Sequence, residues 1–535
     1  MIDRSLLRFF GSCSLLIVFL VVGCVHPGVA EDEPAPNIVL IIADDQGWQD
    51  TSVPFWKKRT KLNKRYQTPN LQRLADQGVK FTNAYTSAIC SPTRISLMTG
   101  LNAARHRVTN WTLKKNASND RGHDTYRFPK WNVNGLSPEP GVERTVYARP
   151  LPSFLKQAGY RTIFAGKAHL GAKNTPGADP LNLGYDVNIA GHAAGGPGSY
   201  LGRHNFSSKH RGGDPIWDVP GLEEYHGKDI FLTEALTVEI NEQIERAVAD
   251  DKPFFVTLSH YAVHVPYAKD MRYYRKYRRR GLPETEAMYA AMVEGLDESV
   301  GDVLDELQEQ GVRDETAVMY ISDNGGLSAV SRAGEPHTHN KPLSSGKGSA
   351  REGGIRVPML VRWPGVTEPG TETDTPVIVE DLFPTILRIA GIDPPPYKPE
   401  RPGGADEQQP DRPRNMAGID GHSILPMLRG NREAFPSDRP LYWHFPNHWR
   451  SPGPGLGAYS VIRDGKWKLI YYHFDQSYEL FNLEKDIREQ NNLAGERPDR
   501  RRELAEKLGE YLQRVEAQMP VHKKTGGRVP LPGGN

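Results

Sequence analysis

A recurring pattern constrains this chain more than any other feature: short, mostly apolar runs that read as strands, several of which stop at residues able to do chemistry. Asn37-Ile38-Val39-Leu40-Ile41-Ile42-Ala43 shows no polar alternation, as expected of a strand covered on both faces in a parallel sheet. It ends in Asp44-Asp45. Residues 80–85 form a second run and deliver the chain to Cys90, while 161–165 end in Gly166-Lys167-Ala168-His169. Residues 254–258 lead to Ser259-His260-Tyr261-Ala262-Val263-His264, and 316–321 to Ser322-Asp323-Asn324-Gly325-Gly326. A further strand is expected at 357–361. Stretches with helical spacing alternate with these runs, at 71–77, 151–160, 232–250, 288–310 and 381–391. Such alternation predicts an α/β fold, whose ligands gather outside the carboxyl ends of the strands.

After residues 420–426 the texture changes. Short strands at 441–445, 458–462 and 467–472, with Asp464-Gly465 as a hairpin turn, precede a helix at 501–516. The expected fold class is therefore α/β, a large mixed, mostly parallel sheet sandwiched by helices, with a smaller C-terminal antiparallel-sheet domain packed by a helix. The expected limits are 36–435 for the first domain, 436–520 for the second and 521–535 for a flexible tail. The Pro-rich stretch 394–413 reads as a disordered or inserted loop. Residues 114–144 read as an irregular surface segment facing substrate, not core.

Lys plus Arg number 67 against 65 Asp plus Glu in 535 residues, a net charge of +2. No global field favours nucleic acid, and no nucleic-acid motif is present. At the N-terminus Arg4 and Arg8 precede an apolar run over 15–22, shorter than the ~20 residues that span a bilayer. Residues 1–30 read as an export signal. Val21-Val22-Gly23-Cys24 resembles a lipobox, which would make Cys24 a lipid anchor; cleavage after Ala30 is the competing site. The cysteines are Cys13, Cys24 and Cys90, so processing at either site leaves no pair for an internal disulfide.

Cys90 stands beside Ser91-Pro92 at the start of a helix, where partial positive charge suits an anion. A lone cysteine is more often a buried structural residue. Here, however, Cys90-Ser91-Pro92-Thr93-Arg94, running on to Thr99-Gly100, resembles the sulfatase signature. The likeness extends over nearly the whole chain beyond the leader. The opening strand with Asp44-Asp45 resembles the family's N-I-[VL]-x-I-x-x-D-D, and Gly166 to Gly171 its G-K-W-H-L-G with Ala168 replacing Trp. His264 to Pro266 resembles H-x-P, and Gly346-Lys347 with Glu352-Gly353-Gly354 the family's G-K-x-x-x-x-E-G-G. Glu479 to Leu483, with Asn492-Leu493, resembles its closing motif.

The resemblance implies a sulfuric ester hydrolase in which a maturation enzyme oxidises Cys90 to formylglycine, whose hydrate attacks sulfur. It implies a divalent metal at Asp44, Asp45, Asp323 and Asn324, beside Cys90. Oxygen donors of this kind suit a hard cation and not zinc; the resemblance points to Ca²⁺, and Mg²⁺ stays open. Arg94, Lys167 and Lys347 would meet the sulfate, His169 would take a proton from the hydrate and His264 would protonate the leaving oxygen. Ser199 would lie near the sulfate. His260 is expected to pack, and Arg105 and His106 to line the pocket wall.

A sulfated carbohydrate is the expected substrate. Aromatic and basic loops at 114–144, 191–210 and 444–450 motivate it, with His448 and Arg450 as substrate-binding candidates. The alternatives are a phosphomonoester or phosphodiester hydrolase of the same superfamily, or a non-catalytic glycan-binding relative. The first would call for a His-rich second metal site that is not evident, and the second for loss of one or more of these residues. The expected location is periplasmic or extracellular, with membrane anchoring if Cys24 is lipidated.

Overall fold

The computed structural model describes residues 35–327, 339–398, 413–448 and 453–534. The expected signal segment, most of the Pro-rich loop and Arg450 lie outside the described residues.

Nine strands form the main sheet among the described residues: β1 (Asn37–Ala43), β2 (Val79–Tyr85), β3 (Arg161–Gly166), β4 (Val187–Ile189), β5 (Phe254–Ser259), β6 (Thr316–Ser322), β7 (Arg356–Arg362), β8 (Thr371–Thr373) and β9 (Val377–Ile378). Their spatial order is β8-β2-β7-β6-β1-β5-β3-β4, with β9 also alongside β2. Only β7 runs antiparallel to its neighbours. The carboxyl ends of β2, β6, β1, β5 and β3 therefore share one edge, and the start of β7 joins them there.

Alternation along β1 shows why the strand carries no polar residue after Asn37. Ile38, Leu40 and Ile42 belong to one buried cluster, with residues of α2 (Cys90–Thr99) and α5 (Leu382–Ile389). Val39, Ile41 and Ala43 belong to another, with α1 (Pro69–Asp76), α3 (Leu232–Ala249) and α4 (Glu284–Glu309). Successive side chains of a strand point to opposite faces, so each face needs its own apolar row.

The C-terminal sheet runs β10 (Leu441–Phe445), β11 (Tyr459–Asp464), β12 (Trp467–Tyr472) and β13 (Tyr478–Asn482), all antiparallel. Val461, Ile470 and Phe481 face the main core. Ile462, Leu469 and Leu480 face α6 (Pro498–Arg514) through Leu504, Leu508 and Leu512. The small sheet is thus a layer with apolar residues on both sides, and residues 35–535 form one compact unit.

Two expectations need correction. Residues 521–534 are not a free tail: Val521–His522 pairs with Tyr126–Arg127, Val529 is buried and Tyr471 Oη donates to Pro530 O at 3.0 Å. Glycine is the commonest residue of that stretch, yet Val529 and Leu531 are enough to seat it against the α6 layer. The segment 114–144 is not all surface either, because Trp131, Val133 and Leu136 enter the main core.

Candidate active site

Strand register brings the acids together. Ala43 of β1 lies opposite Ser322 of β6, which sets Asp44 beside Asp323 and Asp45 beside Asn324. Asp323 N donates to Ala43 O at 3.0 Å, and Asp45 N reaches Asp323 Oδ1 at 3.3 Å. Asp45 has φ +62°, a left-handed conformation that aspartate tolerates better than most residues. Two successive carboxylates, which would face opposite ways on a continuing strand, can then both reach the site.

Three more strand ends supply the rest. Past β5, backbone bonds from Asp44 N to Ala262 O at 2.8 Å and from Val263 N to Asp44 O at 2.6 Å fix the turn that carries His264. Past β3, Lys167 N donates to Ser259 O at 2.7 Å. Gly166 there has φ +98°, and a Cβ would sit 2.0 Å from Ser259 O, so no other residue fits. Past β2 the chain enters α2 at Cys90; the helix has no side-chain cap and all ten of its residues are buried. It ends at Gly100, φ +69°, in a left-handed stop. The loop before β7 brings Lys347, tied by Lys347 N to Gly326 O at 3.0 Å and Gly348 N to Ala88 O at 2.8 Å.

Ligand atoms of Asp44, Asp45, Asp323 and Cys90 lie within 4.8 Å of one another. Lys167 Nζ is 2.6 Å from Asp44 Oδ2, and Lys347 Nζ is 2.6 Å from Asp45 Oδ1 and 3.0 Å from Cys90 Sγ. Burial would raise the Asp45 carboxyl, but Lys347 and His264 outweigh it and hold it below the ordinary range. Burial raises Asp44, and the neighbouring carboxylates of Asp323 and Asp45 add to the effect despite Lys167. Burial likewise pushes the Cys90 thiol up to about 11, whereas a cysteine that attacks as thiolate is normally held at or below neutrality.

The donor set fits a hard cation. Asn324 Nδ2 donates to Asp45 Oδ1 at 2.7 Å, leaving Asn324 Oδ1 and Asp45 Oδ2 buried with no hydrogen-bond partner among the described residues. Buried oxygens are rarely left unmatched, and three carboxylates with one amide oxygen are ligands that Ca²⁺ or Mg²⁺ takes.

Cys90, His169, His264 and Lys347 line a cavity of about 400 Å³. His169 Nε2 lies 2.9 Å from Thr112 O, while its buried Nδ1 has no partner. A proton on Nε2 for the carbonyl leaves Nδ1 as a bare acceptor. Burial, then Lys167 and Arg94, push this ring well below the usual histidine range. A Cβ at Gly195 would lie 2.3 Å from it. His264 Nδ1 lies 2.7 Å from Val265 O, and its Nε2 is 3.8 Å from Asp45 Oδ2. Burial and Lys347 bring its pKa down to about 3.

The structure places other candidates differently. Arg94 is committed to scaffold, with Nε 3.0 Å from Asp323 Oδ2 and NH1 bonded to Lys167 O at 2.7 Å and Ser259 Oγ at 2.5 Å. It holds Asp323 and the Lys167 backbone instead of facing the cavity. Ser199 is turned away, bonding His204 Nδ1 at 3.0 Å. His106 is buried against Ser96 Oγ at 3.1 Å, and Arg105 pairs with Asp420 at 3.1 Å, so neither forms the wall. His260 packs, its Nε2 2.9 Å from Ser299 Oγ. His448 does line the cavity, and so do Trp111, Asn119, Arg211 and Trp217, which carry no motif. Their one sequence signal is an aromatic or basic residue in turn-rich chain where no core calls for it.

This constellation, one cysteine at a helix start over a buried acid cluster bridged by two lysines, is that of a sulfate-ester hydrolase. The chain belongs to the sulfatase family, whose model, described as Sulfatase, matches residues 36–392. It is 31% identical to a sulfatase of Formosa agariphila, over 93% of this chain and 92% of that one. It is 30% identical to human N-acetylgalactosamine-6-sulfatase, over 86% of this chain and 76% of that one. The crystal structure of Ps i-CgsB in complex with k-i-k-neocarrahexaose superposes with a TM-score of 0.66 at 26% identity, covering 90% of this chain and 93% of the other.

Proposed function

We propose that the protein hydrolyses a sulfate monoester on a carbohydrate, using formylglycine made from Cys90 by a maturation enzyme and one divalent cation, calcium by resemblance. The observation that carries this reading is Cys90 itself, set at the floor of the cavity 3.0 Å from Lys347 Nζ and grouped with three carboxylates. The carbohydrate follows from the cavity's two tryptophans and from the relatives, of which one bears an amino-sugar sulfatase name and another was crystallised with a carrahexaose.

Asp44, Asp45, Asp323 and Asn324 would hold the cation, which when bound draws charge from a sulfate oxygen. The modified Cys90 supplies a carbon bearing two oxygens, one to attack sulfur and one whose deprotonation expels sulfate. The chain's own residues do the remaining work. Lys347 places an ammonium beside the reacting side chain, and a fixed charge in a dry site needs no reorganisation as negative charge develops. His169 Nδ1, buried without a hydrogen-bond partner on a ring that lines the cavity, accepts the proton released when sulfate leaves. His264 Nε2 faces the same space, and an arriving anionic ester favours its protonated form, which can then donate to the leaving oxygen. Arg94 and Lys167 position Asp323 and Asp44. The leader is read as an export signal, cut either before Cys24, which would leave a lipid anchor there, or after Ala30.

Mass spectrometry of the Cys90 peptide, from protein made together with a maturation enzyme, is expected to show loss of sulfur and an aldehyde. Cys90→Ser should fold and bind metal yet fail to turn over. An active preparation containing only thiol at Cys90 overturns the formylglycine reading, and turnover confined to aryl sulfates overturns the carbohydrate one.

A further inference from the structure

The cavity wall holds a cation that the sulfate chemistry does not use. Arg211 ends a short 3-10 turn, Ser208–Arg211, and Trp217 ends the next, Pro215–Trp217; both side chains line the cavity that has Cys90 at its floor. The segment is rigidly built. Ser208 N and Oγ bond Asp218 Oδ1 at 2.7 and 3.1 Å, and Ser208 Oγ also donates to Asp214 O at 2.8 Å. A Cβ on Gly198 would come within 2.4 Å of Ser208 N, so the neighbouring loop presses directly on this turn.

The two acids nearest Arg211 in sequence are already engaged. Asp214 accepts from Ile216 N at 3.0 Å and lies 3.5 Å from Lys114 Nζ, and Asp218 is taken by Ser208. No carboxylate appears among the described residues lining the cavity. Lys347, the other lysine or arginine there, is bonded to Asp45. Among the described residues the Arg211 side chain makes no ion pair or hydrogen bond, and it is exposed. An arginine left unmatched beside two tryptophans, Trp111 and Trp217, suits a ligand that is apolar on one face and anionic at its edge.

We propose that Arg211 is a specificity residue. It reads a second anionic group, a carboxylate or another sulfate ester, carried by the sugar being desulfated or by its neighbour, while Trp217 lies against the ring. This rests on the carbohydrate reading above and narrows it to polyanionic glycans. Arginine's planar fork binds either oxyanion through two parallel hydrogen bonds, so chemistry alone does not separate the two sources.

The test compares kcat/KM of the matured, metal-loaded enzyme on four substrates: a monosulfated neutral disaccharide, its disulfated form, a monosulfated disaccharide containing a uronic acid, and an aryl sulfate. Wild type should prefer at least one dianionic sugar over the neutral one, mostly through KM. Arg211→Gln should shrink that preference about ten- to a hundredfold, the span of a lost charged hydrogen bond, with Arg211→Lys falling between. The arm in which the preference collapses names the anion. Trp217→Ala should weaken all three sugars relative to the aryl ester. Turnover with an unchanged preference in Arg211→Gln overturns this proposal alone. Failure of wild type to desulfate any sugar while cleaving the aryl ester overturns the carbohydrate reading and this proposal together.

Discussion

Single side chains in this protein are often held in states that water would not allow, and Glu380 is the clearest case outside the site. Its Oε1 accepts from Asn102 Nδ2 at 2.8 Å, and its buried Oε2 has no partner. Burial, then Asp381 and Asp420, push its pKa from 4.5 up to about 8. A carboxyl with a raised folded pKa favours folding fully only below its unfolded value, and that contribution disappears as pH rises through the folded one. Stability should therefore fall between about pH 4.5 and 8 on this account. Glu380→Gln keeps an acceptor for Asn102 and cannot ionise. It should raise the unfolding temperature by a few degrees at pH 9, with the gain shrinking below pH 5, in paired thermal melts. Within the site, Lys347→Ala should lower kcat about a hundred- to a thousandfold, the range for losing one preorganised donor, while circular dichroism stays unchanged.

At the scale of elements, the loop carrying Lys347 depends on the C-terminal sheet. Lys468 Nζ, on β12, lies 2.9 Å from Glu352 Oε1 and 2.9 Å from Glu489 Oε1, all three groups buried. Glu489 Oε2 accepts from Glu352 N at 2.7 Å, and Arg351 pairs with Glu479 at 2.5 Å. Burial alone would raise Glu352, but Lys468 and Arg356 bring it down to about 2. Removing the lysine strands two carboxylates, so Lys468→Ala should cost about 3–5 kcal/mol in denaturant unfolding and lower kcat/KM by slackening the Lys347 loop. Elements were the most legible level of the sequence. The β-branched runs and the residues that stop them mark where β1, β3, β5 and β6 end, and hence where the acids, Lys167 and His264 stand. Arg94 was expected to meet the sulfate, but the reach of its side chain sends the guanidinium to Asp323, Lys167 O and Ser259 instead. Ser199, Arg211 and Trp217 sit in chain with no period, where glycine contacts such as that of Gly198 decide direction. His106 and Trp131 were misread for the opposite reason: a polar or isolated residue in irregular chain can still be core when Ser96 or an apolar shell receives it.

At the scale of the whole molecule, the candidate metal site lies where several strands of the main sheet end. An ion that binds only the folded chain adds stability that grows with the logarithm of its free concentration above Kd, so a chelator should lower the unfolding temperature of wild type and abolish turnover, with Ca²⁺ restoring both. Asp323→Asn should blunt the response, and stoichiometric zinc in an active preparation would contradict the oxygen-donor assignment. In the native host, Cys24→Ala should move activity from the membrane fraction to the soluble one if the lipobox is used; a mature N-terminus at Glu31 would refute anchoring. The burial of Cys90, only 2% exposed in the finished fold, also sets a clock. Lys347, which closes on its sulfur, is made 257 residues later, on the order of 10–50 s at ~5–20 residues per second. If Cys90 is converted as proposed, the maturation enzyme would have to reach this side chain within that interval, before the Lys347 loop closes over it. Production that outruns the modifying enzyme would therefore leave well-folded, permanently unarmed molecules, a loss that no later supply of metal or of modifying enzyme could repair.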